Sequence, residues 1–127
     1  MMEIEKKYNP DLKENLIVRM TFNFALEIVK LVELLESKRK YAVANQLIRS
    51  GTSIGANVRE AQNAESKADF IHKIKIAAKE AEETEYWLDI CEQSEHYPEC
   101  KVLLTDILAI KKVLSKIIAT SKKSTNQ

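Results

Sequence analysis

Glycine and proline are scarce in this chain, with two of each among 127 residues. So few turn-forming residues leave few places to reverse the chain, which argues against many short strands and for a few long helices. Cysteine is scarce too, and the pair Cys91 and Cys100 excludes a disulfide framework. No apolar run is long enough to cross a bilayer, and the opening "MMEIEKKYNP" lacks the apolar centre of a signal peptide. An excess of one charge is also missing: 20 Lys and Arg against 19 Asp and Glu leave a net +1. That balance creates no general attraction to nucleic acid or to acidic membranes. Together these absences describe a cytoplasmic protein with reduced thiols and no membrane partner.

What is present is helical periodicity. Hydrophobic residues at 45% and charged residues at 31% suit a single globular domain over residues 1–127 with a proper core. Asn9-Pro10-Asp11 can cap and open a first helix over about 10–36. Its apolar residues fall in two adjacent stripes, Ile17, Phe24, Ile28, Leu31, Leu35 and Val18, Phe22, Ala25, Val29, Val32. One stripe fills the core of a monomer, and the other calls for a further chain. "ESKRKY" marks the first connection.

The second segment, about 41–63, contains "RSGTSIGANVREAQ", where Gly51 and Gly55 interrupt a helix former. Leu47, Gly51, Ile54, Val58 and Ala61 nevertheless keep a helical spacing of four, three, four and three. Beside them runs a small polar seam of Gln46, Ser50, Ser53, Asn57 and Glu60. The glycines therefore sit in a helix and permit close packing against another. Ser66 and Asp69 form a capping-box pattern that opens a third helix, about 67–95, with Phe70, Ile74, Ala77, Ala81, Thr84, Leu88 and Cys91 on its core stripe. Pro98 ends it. The fourth helix, about 99–121, carries Leu103, Ile107, Ile110, Leu114 and Ile117. Four helices with short connections predict an all-α, antiparallel up-and-down bundle.

Catalytic and metal chemistry find little support. Cys91, His96 and Cys100 match no standard zinc spacing, and Cys91 on a core stripe reads as a small hydrophobe. Glu80, Glu82, Glu83 and Glu85 have no histidine partner nearby and read as a solvated face. Ser50, Thr52 and Ser53 lack a base that would make a nucleophile. No catalytic residue, metal or cofactor is expected.

The stretch from "RSGTSIGANVREAQ" through "ETEYWL", the preceding "ANQLI" and the closing "LSKIIATSKK" resemble the four-helix-bundle family of 23S rRNA intervening-sequence proteins. The resemblance rests most on Ser53-Ile54, Ala56-Asn57, Glu60, Asp69-Phe70 and the run from Glu83. It implies a four-helix subunit that assembles into a homopentameric barrel and does not imply an enzyme; the leading expectation is a non-enzymatic, homo-oligomeric protein that works by binding. A related branch, the accessory variability proteins of diversity-generating retroelements, implies the alternative of nucleic-acid binding beside a reverse transcriptase. That branch is strongly basic, whereas this chain is nearly neutral, and Ala61 stands where many relatives have glycine.

Two sets of residues carry these expectations. Asn57, Glu60 and Glu83 form a structural polar seam, with Asn57 and Glu60 expected to be buried and bonded to backbone, Arg49 or Arg59. A ligand or partner site built from the same residues is the rival reading. Lys111, Lys112 and Lys116, with Lys122 and Lys123 beyond them, are the candidate nucleic-acid contacts. A solvated surface is the simpler reading of that belt.

Overall fold

The structure, a computed structural model, describes the backbone of residues 12–125 and the side chains of residues 16–123. Within that span lie four helices and no strand: α1 (Leu12–Ser37), α2 (Tyr41–Gln62), α3 (Lys67–Gln93) and α4 (Lys101–Thr125). The expected start at Asn9-Pro10-Asp11 lies outside the described residues. Each helix packs on its neighbours in sequence, α4 closes back on α1 through the smallest of the contacts, and the diagonal pairs stand farther apart across the core. With connections this short, consecutive helices run antiparallel.

Local chemistry sets the helix ends. At the end of α1, Arg39 adopts φ 61°. Its N–H donates to the Glu36 carbonyl at 2.9 Å, and the Lys40 N–H reaches back to the Leu35 carbonyl at 2.8 Å. These two bonds are a Schellman motif built without glycine. At the start of α3, Ser66 accepts from the Asp69 N–H at 3.0 Å. The return bond of a capping box does not form on Ser66 itself: the Asp69 carboxylate accepts from the Glu65 N–H at 3.2 Å. The α3–α4 corner is longer than the sequence pattern suggests, because the Glu92 carboxylate takes the Cys100 N–H at 2.7 Å and holds it out of the helix. Lys122 and Lys123 then extend α4 past 121, where cations favour the negative helix end.

The core follows the stripes. Ile17, Phe24, Ile28, Leu31 and Leu35 of α1 are buried against Leu47, Ile54 and Val58 of α2, Ile74, Ala77, Ala81 and Leu88 of α3, and Ile107, Ile110, Leu114 and Ile117 of α4. The glycines of α2 mark its crossing with α1. A methyl group built on Gly51 would come within 2.8 Å of Ile28 Cγ1, and one on Gly55 within 3.3 Å of the Thr21 carbonyl oxygen. A helix loses roughly 1 kcal/mol for each interior glycine. Here that loss is offset by backbone contact that no side chain would allow.

Candidate functional site

The polar seam of α2 divides according to what each residue meets on α3. Ser50 and Thr84 are fully buried, and their hydroxyls share a hydrogen bond of 3.0 Å. Thr84 also reaches the Glu80 carbonyl one turn back at 2.8 Å. A buried hydroxyl pair of this kind costs several kcal/mol if it is misaligned, so it ties α2 to α3 in one register. Nothing in the sequence pattern paired these residues, since Thr84 sits among apolar positions on its stripe.

Beside this pair, Arg49 gathers the acidic side chains of α3. Its guanidinium lies 3.4 Å from Glu80 Oε1 and in direct contact with the Glu83 carboxylate, and it also donates to Gln46 at 3.3 Å. Glu83 in turn accepts from the Trp87 indole N–H at 3.2 Å. Tyr86 stands edge-on to Trp87 with ring centres 5.3 Å apart, and it is largely exposed. Residues three and four apart on α3 thus present a carboxylate, an indole and a phenol beside one arginine.

The expected burial of Glu60 is not found. Its side chain is 58% exposed and pairs with Lys73 Nζ at 2.9 Å, not with Arg49 or Arg59. Burying a carboxylate costs far more than a helix edge can return, and a lysine from α3 reaches it in solvent instead. Asn57 is half-buried and bonds only to its own helix, donating to the Ser53 carbonyl at 2.9 Å. Arg59 lies over the Phe22 ring, 5.0 Å from its centre. Of the three seam residues, Asn57 stays within its own helix, Glu60 makes one ion pair across to α3, and Glu83 joins a wider network between the helices.

The acidic run is not simply a solvated face either. Lys111 of α4 reaches Glu82 at 2.7 Å and Glu85 at 2.6 Å. These bonds, the one to Glu82 first, raise the Lys111 ammonium above its ordinary 10.5. Four carboxylates of α3 therefore share two cations, Arg49 on the α2 side and Lys111 on the α4 side. These polar groups are engaged with one another, and the arrangement holds no nucleophile beside a base. Lys112 and Lys116 are exposed, and neither makes an ion pair among the described residues. Of the proposed basic belt, Lys111 is thus occupied within its own chain.

Cys91, His96 and Cys100 do not converge, since both thiols are buried while His96 is 81% exposed. Among the described residues no group of three His, Cys, Asp or Glu side chains could hold a metal ion. No described helix is long and apolar enough to cross a membrane.

The most extensive unsatisfied surface lies on α1. Among the described residues, five of the nine large hydrophobics that remain exposed belong to it: Leu16, Phe22, Leu26, Val29 and Leu34. Phe22, Leu26 and Val29 form a ridge between two grooves. A largely apolar groove of about 560 Å³ between α1 and α4 is lined by Met20, Leu26, Val29 and Ile110, with Glu27, Lys30 and Asp106 also lining it. Another of about 270 Å³ between α1 and α2 is lined by Val18, Phe22, Ala25, Gly55 and Ala56. Of the second α1 stripe, Val32 enters the core and Val18 packs against it.

The fold defines an all-α protein of four helices whose polar residues join helices and whose apolar excess is concentrated on α1. The chain belongs to the 23S rRNA-intervening sequence protein family, which it matches over residues 13–116. It is similar to a crystal structure of a protein of unknown function from the S23 ribosomal protein family of Bacteroides thetaiotaomicron. The TM-score is 0.81 at 42% sequence identity, covering 85% of this chain and 99% of that one. No curated protein matches the chain.

Proposed function

We propose that this protein is a non-enzymatic, cytoplasmic subunit that associates with itself and acts by binding, its copies closing into a ring of five. The observation that supports self-association is the ridge of Phe22, Leu26 and Val29, left exposed between two apolar grooves. A ridge flanked by grooves is the shape that helix packing uses. Leaving five exposed large hydrophobics on one helix, against four spread over the other three, is uneconomical for a monomer. The number five comes from the family resemblance. A rotation that closes is what keeps such contacts from continuing into fibres.

Light scattering at micromolar concentration should give a multiple of the 14.5 kDa chain, five by this reading. Leu26→Glu should shift that mass to the monomer, because a carboxylate cannot be buried at a packed ridge without a partner. A wild-type protein that elutes as a monomer overturns the proposal.

Lys112 and Lys116, exposed and without an ion-pair partner among the described residues, favour nucleic-acid binding as a second reading. It would show as RNA or DNA binding that weakens steeply with salt and drops for all sequences alike in Lys112→Glu/Lys116→Glu. Little binding at physiological salt is expected.

A further inference from the structure

The near-neutral net charge conceals a lengthwise division that antiparallel packing turns into a surface. From Lys67 to Lys79, α3 carries four lysines and a single carboxylate, Asp69. From Glu80 to Glu99 the chain carries eight carboxylates and neither lysine nor arginine. On α4, five lysines and no carboxylate fall between Lys111 and Lys123. Since α3 and α4 pack antiparallel, their lysine-bearing halves lie side by side at one end of the bundle.

Lys111 marks the border of that end, held by Glu82 and Glu85. Beside this group an open cleft of about 170 Å³ lies between the helices, lined further by Ala78 and Lys79 of α3 and by Ser115 of α4. Lys75 and Lys79 stand exposed on α3, as do Lys112, Lys116, Lys122 and Lys123 on α4, and none pairs with a described carboxylate. Of the carboxylates at this end, Glu60 is paired with Lys73, and Asp69 accepts the Glu65 N–H. Like charge is crowded instead: Lys122, and after it Lys79, hold the Lys75 ammonium below its ordinary 10.5.

We infer that this end of the α3–α4 face binds the phosphate backbone of nucleic acid, gripped from both helices and without regard to base sequence. The inference rests on the nucleic-acid reading above and extends its site from Lys112 and Lys116 across the cleft to Lys75 and Lys79. Net charge does not decide against it. At physiological salt a charge is screened beyond about 8 Å, so a bound strand meets the local lysines and not the distant carboxylates. The α4 lysines from Lys112 to Lys123 extend over roughly 16 Å at about 1.5 Å per residue, long enough to follow several phosphates. Among the described residues of 67–79 and 111–123 no large hydrophobic is exposed. That removes the apolar centre of a protein interface, the wedge for a lipid surface and the aromatic platform for base stacking. Ammonium and hydroxyl groups remain, and these position a phosphate chain but carry no sequence information.

The test titrates the full chain against a fluorescent oligothymidylate and a DNA duplex of mixed sequence, from about 50 mM to about 200 mM salt. The wild type should bind both at the low end and lose roughly a hundredfold or more in affinity across that range. Lys75→Gln/Lys79→Gln should weaken binding to both probes and flatten the salt slope, by roughly 1.4 for the single strand and roughly 1.8 for the duplex. Lys38→Gln/Lys101→Gln removes the same charge at the opposite end of the bundle and should leave affinity and slope unchanged. A wild type that binds neither probe at low salt overturns the nucleic-acid reading and this site with it. Binding that drops in Lys112→Gln/Lys116→Gln but not in Lys75→Gln/Lys79→Gln keeps that reading and overturns the two-helix site. So does an equal loss in the opposite-end variant, because affinity would then follow net charge.

Discussion

The two long seams of this bundle are built on opposite terms. Between α2 and α3 every kind of contact is present. Slim apolar residues face Ala77 and Ala81, a buried hydroxyl pair fixes the register, and Arg49 spans Glu80 and Glu83. Between α1 and α4 the helices touch least and leave an apolar groove floored by Phe24 and Ile110. The first seam is finished within one chain. The second has surface but no partner in it, so the same four helices hold a region that stabilises the subunit beside one that is available to something else.

Substitutions at the crowded crossing should break this contrast most strongly. Gly51→Ala puts a methyl within 2.8 Å of the buried Ile28, whose branch point cannot swing away. Overpacking of that kind costs roughly 1–3 kcal/mol, more than the roughly 1 kcal/mol gained in helix propensity. Urea unfolding should therefore show a net loss. Gly55→Ala meets the Thr21 carbonyl only at 3.3 Å and should be milder. On the open seam, by contrast, Leu26→Glu should remove assembly while changing the subunit's own stability by roughly 0.5 kcal/mol or less.

The hydroxyl pair sharpens the comparison next. Thr84→Val leaves Ser50 without its buried partner and should cost about 1–3 kcal/mol in chemical denaturation. Adding Ser50→Ala should recover part of that loss, since removing both polar groups spares the orphan. A strictly additive double-mutant cycle would show that the two hydroxyls do not act as a pair.

A smaller effect is expected from Lys111, which fastens α4 to α3. Its folded-state pKa is raised above the ordinary 10.5, so its contribution is complete below that value and is lost as pH climbs through the folded one. As pH rises above 10.5, unfolding free energy should fall less in Lys111→Met than in the wild type. Equal slopes in the two proteins would discount the Glu82 and Glu85 bonds. The smallest effect belongs to Arg39→Gly. It relieves a left-handed backbone position at φ 61° and should raise the thermal midpoint slightly, for a gain of roughly 0.5–1 kcal/mol.

Much of the fold was legible in the spacing of apolar residues. The four buried stripes fell where periods of three and four placed them, and Gly51 and Gly55 read correctly as close-packing residues within a helix. The excess apolar stripe of α1 was visible in the same way, because amphipathic width is a property of one helix. The polar seam was much less legible. Asn57 and Glu60 share a helix face with Ser50, yet Ser50 is sealed while Glu60 stands in solvent beside Lys73.

Helical periodicity fixes which way a side chain leaves its own axis, and a local sequence is enough for that. How deep the side chain ends up depends on the neighbouring helix. Its tilt and register decide whether position 50 faces Thr84 and position 60 faces open water. The same holds for charge. Glu80, Glu82, Glu83 and Glu85 look like one wet run in the sequence, and only the packing of α2 and α4 on either side gives them Arg49 and Lys111. Sequence determined the helices and their apolar faces because those follow from bonds within four residues. Tertiary structure alone decided which polar groups are paired, which are buried and which surface is left over, because those depend on residues some thirty positions apart meeting across a gap of a few ångströms.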